Sequence, residues 1–231
     1  MRSIRTYPTT GDTAAMRARA IIQVAALLAG AAAAAGLAMA IRPTADPVAQ
    51  RAIVRIGETR LAIPPDYMRF KPDRAGGTVA RIELAAAAKD FRPAPPPRLD
   101  LHDGDPLAAT VFITIERPDP RLEPADRMSR LYVRFLDEFS WSHPGGLRMR
   151  RFSNDSPYTG EDLYFAPPEG RQFTARCRRP PQPPDGLPSA CLAEFRADGV
   201  DVRLRFSPDL LPEWERLMSG ARGLIRSFRE H

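Results

Sequence analysis

Apolar side chains recur along this chain with two periods, one of two residues and one of three to four, and the changes of period mark out its elements. Ile53-Val54-Arg55-Ile56 and Arg60-Leu61-Ala62-Ile63 flank Gly57-Glu58-Thr59 and predict a hairpin closed by Pro64-Pro65. Thr78 to Leu84 sets Ala80, Ile82 and Leu84 against Val79, Arg81 and Glu83, and Thr110 to Glu116 puts Val111, Ile113 and Ile115 on one side, so each predicts a strand. Between them lies FRPAPPPRLDLHDGDP, whose proline run cannot donate ladder hydrogen bonds and predicts an extended surface loop.

Met128, Leu131, Tyr132, Phe135, Leu136 and Phe139 then fall at steps of three and four, predicting a helix from about Pro124 to Phe139 with one buried stripe. Five more strands follow over Leu147 to Phe152, Asp162 to Phe165, Gln172 to Cys177, Cys191 to Arg196 and Val200 to Phe206, the last two joined through Ala197-Asp198-Gly199. A closing helix starts at about Pro212 and carries Trp214, Leu217, Met218, Ala221, Leu224, Ile225 and Phe228 on one stripe. The expected fold is α+β: a mainly antiparallel sheet with two amphipathic helices on one face, preceded by one N-terminal transmembrane helix. The windows 111–139 and 200–228 both read strand, break, helix, which raises the further expectation of two similar halves, about 53–141 and 147–229.

Residues 20–41 contain no charge and are long enough to span a bilayer as a helix. They are rich in alanine and end on Ala38-Met39-Ala40, so a cleaved signal peptide competes with an uncleaved anchor, the anchor being favoured because the charged start and the apolar run are both long. The division that results is a cytosolic tail 1–19, an anchor or signal segment 20–41, a tether 42–52 and an exported domain 53–231. Arg17 and Arg19 abut the span while Asp46 dilutes the basic residues beyond it, which puts the N-terminus inside and the domain in the periplasm, on the inner membrane or, after cleavage, soluble.

Half of the chain's +6 charge lies in residues 1–41, and Lys71 and Lys89 are the only lysines, so the domain is mildly basic and shows no polybasic face or module for nucleic acid. The only cysteines, Cys177 and Cys191, each end a strand flanking RRPPQPPDGLPSA; antiparallel pairing sets them opposite one another and predicts a structural disulfide, which suits an oxidising compartment. Neither a metal spacing nor a cofactor fingerprint occurs: His102, His143 and His231 stand apart, and Ser142 beside His143 is chance proximity, since no nucleophile elbow or phosphate loop accompanies it.

Two strands place arginines at alternate positions, Arg148 with Arg150 and Arg203 with Arg205, and would form an anion-binding patch if they were neighbours. Trp141 suits either a cap on the core or an anchor for a partner. The leading expectation is a non-enzymatic envelope module, accessory or inhibitor-like, that binds another protein and needs no cofactor. The alternatives are an envelope hydrolase whose acid/base site assembles only in space, and a binder of anionic lipid or polymer through the arginine faces.

Overall fold

The computed structural model describes residues 51–94, 109–179 and 189–229. The anchor or signal segment 20–41, the tail before it, most of the tether, the two proline-rich loops, His102 and His231 lie outside these residues. No helix among the described residues is long and apolar enough to cross a membrane.

Alternating burial builds eleven strands among the described residues. β1 (Ala52–Ile56) and β2 (Thr59–Ile63) pair antiparallel around a tight turn at Gly57-Glu58, so Thr59 belongs to the strand, and β3 (Gly77–Thr78) adds to β1 in parallel. The large sheet is antiparallel throughout and contains β4 (Arg81–Ala87), β5 (Thr110–Glu116), β6 (Trp141–His143), β7 (Leu147–Arg151), β8 (Glu161–Phe165), β9 (Thr174–Arg178), β10 (Cys191–Ala197) and β11 (Val200–Phe206). Its spatial order is β4-β5-β11-β10-β9-β8-β7-β6. β10 and β11 form the expected hairpin, with Asp198 and Gly199 both at positive φ (51° and 81°), the geometry that Asp-Gly favours in a two-residue turn.

The two α-helices among the described residues are α1 (Arg127–Arg130) and α2 (Trp214–Ser227). α2 follows the predicted stripe: Trp214, Leu217, Met218, Ala221, Leu224 and Ile225 are buried and share one core with Ile82, Leu84, Ile113, Val202 and Leu204. β1 and β2 close that core, and the Ala62 amide bonds the Phe228 carbonyl at 2.7 Å.

The segment 124–139 departs from the single long helix predicted for it. It forms a 3-10 turn at Pro124–Asp126, the four residues of α1, a second 3-10 turn at Tyr132–Phe135, and then extended chain. The helix breaks at Leu131 (φ −121°, ψ −60°) because the chain beyond it bonds the neighbouring strand end: the Asp137 amide donates to the Arg151 carbonyl and the Ser153 amide to the Phe135 carbonyl, both at 2.9 Å.

The helices also do not share a face. Met128 and Tyr132 pack with Phe152, Leu163 and Phe165, whose register is one residue out of step with Asp162, Tyr164 and Ala175 on the α2 side. α1 therefore covers the back of the sheet over β7 and β8, while α2 covers the front over the other half. The windows 111–139 and 200–228 begin alike, in β5 and β11, and end in unlike helical segments on opposite faces.

Candidate functional site

Covering the two faces at opposite ends leaves two open quarters of the large sheet, and their chemistry differs. On the back, over β4, β5, β11 and β10, Phe112 and Ala85 form a small buried apolar cluster at one end, and beyond it the charged and polar alternates satisfy one another, with Arg205 left exposed. Arg203 holds Glu194 through Nε at 2.9 Å and Glu116 through Nη2 at 3.1 Å, Arg127 reaches the other Glu194 oxygen at 2.6 Å, Thr114 donates to Glu83 at 3.0 Å, and Arg196 grips Asp201 at 2.7 and 3.1 Å. A ladder closed in this way is a solvated structural face with little left to offer a ligand.

The front quarter, over β6, β7 and β8, is of another kind. Register places Trp141 opposite Met149, Met149 opposite Tyr164, His143 opposite Leu147 and Arg151 opposite Asp162, so all of these side chains stand on one face. Trp141 is 42% exposed and lies under the Arg151 guanidinium, 5.4 Å from its ring centre, and His143 meets Tyr164 edge-on at 4.9 Å. The strand pair that carries this surface is pinned by the turn at Pro144–Gly146: the Trp214 indole donates to the Gly145 carbonyl at 2.9 Å, and Gly145, at φ 80°, has room for no side chain because a Cβ there would lie 2.6 Å from the Pro212 carbonyl oxygen.

Beside this surface a cleft of about 330 Å³ opens between β8, the end of β9 and the turn after β11, lined by Asp162, Tyr164, Cys177, Arg179, Ser207 and Asp209. Asp162 is 8% exposed, and desolvation lifts its carboxyl above the usual carboxylate range against the pull of Arg179 and Arg151. Burial, with the Asp162 charge second, likewise raises Tyr164. Arg179 Nε lies 3.4 Å from Asp162 Oδ1, close enough for attraction, yet neither atom completes a hydrogen bond.

Cys177 and Cys191 are joined as a disulfide at the cleft floor, across the directly opposed pair of β9 and β10, with a Cα–Cα distance of 3.9 Å. The four arginines singled out from the sequence fall into different places. β7 and β11 are separated by β8, β9 and β10, roughly 19 Å at about 4.8 Å per strand. Arg203 is engaged in the back ladder, Arg150 donates to the Asp137 carbonyl at 2.8 Å, and Arg148 and Arg205 are exposed. Trp141 is at the surface rather than over the core. No group of three or more His, Cys, Asp or Glu side chains among the described residues is arranged to hold a metal.

Two parts of the site escaped sequence reasoning. β6 carried a usable signal, the period-two run Phe139-Ser140-Trp141-Ser142-His143, which the helical reading of 124–139 overrode. Asp162 carried none, since an acidic residue in a strand looks solvent-facing until a neighbouring turn is known to cover it.

No family model and no curated protein matches the chain. Among solved structures it is similar to Smlt3025, an immunity protein of the Stenotrophomonas maltophilia type IV secretion system, at 18% identity and a TM-score of 0.55, over 79% of this chain and 94% of that one. It is also similar to the iron-regulated outer membrane lipoprotein FrpD of Neisseria meningitidis, at 15% identity and a TM-score of 0.47, over 80% and 95% of the two chains. The first likeness establishes a shared fold.

Proposed function

We propose that this chain is an extracytoplasmic protein-binding module that holds a partner protein against the open front of β6, β7 and β8. The observation that carries the reading is the contrast between the two open quarters. The back ladder neutralises itself, whereas the front presents Trp141, His143, Met149, Arg151 and Tyr164, drawn from the aromatic, Met and Arg types enriched at protein interfaces. The solved structure sharing the fold is described as an immunity protein, a role that agrees with binding. The buried disulfide favours an oxidising compartment, and residues 20–41 would supply the inner-membrane anchor or, if cleaved, the export signal.

The test is affinity purification of the tagged full chain from its native envelope. A partner should be retained by the wild type and by Arg205→Ala on the back, and lost with Met149→Glu on the front. Equal retention by all three, or no partner for any, would overturn the reading.

The cleft supports a second reading, a hydrolase using Asp162 as acid, because a carboxyl with a raised pKa is the usual mark of that role. Against it, no hydrogen-bonded nucleophile or second carboxylate among the described residues meets Asp162 Oδ1. Loss of a measured hydrolytic activity in Asp162→Asn with the fold intact would decide for it.

A further inference from the structure

The two outer edges of the large sheet are treated differently. Along β4 the outward groups are occupied: the Arg69 amide bonds the Glu83 carbonyl at 3.1 Å, the Ala94 amide the Ala85 carbonyl at 3.3 Å, and the Ala87 amide the Arg92 carbonyl at 2.8 Å. Along β6, at the opposite edge, no backbone group among the described residues bonds the outer side. An edge left open is an invitation to pairing that proteins ordinarily close with a charge, a bulge or a covering segment.

The surroundings of this edge are apolar and cationic together. Of the five large hydrophobic side chains exposed among the described residues, Val133 (46%), Phe139 (74%) and Trp141 (42%) lie here. Residues 130–151 hold Arg130, Arg134, Arg148, Arg150 and Arg151 against Asp137 and Glu138, and none of the five arginines has a carboxylate within ion-pair distance among the described residues. Toward the middle of the same sheet Arg176, Arg196 and Arg203 are paired and, among the described residues, Arg205 is not, so the unpaired arginines are concentrated at the β6 edge without being confined to it. The two faces at the edge differ as well: Trp141 and Arg151 stand on the front, Arg148 on the back beside the segment that carries Arg134.

We propose that β6 receives an extended acidic segment of the partner protein as an added antiparallel or parallel strand. Alternate apolar side chains of that segment would lie over Trp141 and Phe139, and its carboxylates would face Arg148 and Arg134. Main-chain hydrogen bonds to the open edge supply affinity, and the alternation of apolar and acidic positions supplies selectivity. The proposal deepens the protein-binding reading and depends on it, since it specifies how the front surface is extended and what the partner must present.

The experiment uses the full chain in detergent and three fluorescent peptides of about eight residues, the length of an ordinary strand. One alternates glutamate with valine, the second replaces glutamate by lysine, and the third is the acidic peptide with every backbone nitrogen methylated, which keeps charge and side chains and removes the donors of both edges. The acidic peptide should bind, the basic peptide should not, and methylation should weaken binding at least about tenfold. Arg134→Glu with Arg148→Glu, two surface changes, should weaken it comparably and leave the melting temperature unchanged.

Equal binding of the methylated peptide would refute strand addition without any concern over a misfolded variant. Failure of the acidic peptide to bind, or its equality with the basic one, would also overturn the proposal. So would binding of polyphosphate or phosphatidylglycerol vesicles that displaces the acidic peptide and is indifferent to Trp141→Ala, since the edge would then be a polyanion site. A partner lost with Met149→Glu, combined with any of these failures, would refute strand addition while leaving the protein-binding reading in place.

Discussion

Reducing the bond between Cys177 and Cys191 should loosen the domain measurably without unfolding it. The two residues are 14 apart in sequence, and closing a loop of that size removes about 3 kcal/mol of chain entropy from the unfolded state. Pro180, Pro181, Pro183, Pro184 and Pro188 lie in the loop and already restrict the unfolded chain, so the effective gain is smaller, about 2 kcal/mol. For a folded unit of this size, about 2–4 °C of melting temperature corresponds to each kcal/mol, which predicts a drop of about 4–8 °C. Both cysteines are buried, so serine replacements would add the cost of two buried hydroxyls and confuse the result. The cleaner assay is thermal unfolding of the wild type followed by circular dichroism with and without reductant, with thiol labelling in denaturant to verify reduction. An unchanged midpoint after complete reduction would refute the entropic argument, and loss of the cooperative transition would show that the core itself depends on the bond.

Two further predictions concern α2 and the cleft. A Cβ at Gly220 would lie 2.3 Å from the Phe91 ring, so Gly220→Ala should destabilise by about 1–3 kcal/mol through displacement of that ring. Gly223 meets nothing within 4 Å, and Gly223→Ala should instead stabilise by about 0.5–1 kcal/mol; chemical denaturation of both variants checks the opposite signs. Because the Asp162 carboxyl titrates higher folded than unfolded, the native state holds the extra proton, and stability falls as pH rises from the ordinary carboxylate range through the raised value. Asp162→Asn should therefore flatten that fall and match or exceed the wild-type melting temperature at neutral pH; a steeper acid dependence in the variant would contradict the burial argument.

Where a local pattern and its tertiary surroundings agreed, the structure was legible in the sequence. The stripe from Trp214 to Ile225 packs as its spacing requires, the Asp198-Gly199 turn sets the β10–β11 register, and the separate antiparallel pairing of β9 with β10 sets Cys191 opposite Cys177. The segment from Met128 to Phe139 shows the opposite case. Its three- and four-residue spacing is real, but Leu136 bridges to Phe152 and the chain beyond it becomes the edge of a sheet, an outcome decided by partners distant in sequence. Alternation also told which side of each strand was apolar without telling which side a helix would cover, and for that reason the diagonal arrangement of α1 and α2, and with it the open front quarter, could not be read. The arginine pairs illustrate the same limit: Arg148 and Arg203 are each placed correctly on a strand, and only the strand order shows that three strands lie between them.

The central claim, that a protein partner docks on the front at β6, is tested most directly by placing a photoactivatable phenylalanine analogue at single positions of the full chain in its native cells. Irradiation should give a discrete protein adduct from position 141, where Trp141 is exposed at the open edge, and none from position 205, where Arg205 is exposed on the back. An adduct from position 205 alone, or none from position 141 with the protein present and folded, would contradict the account.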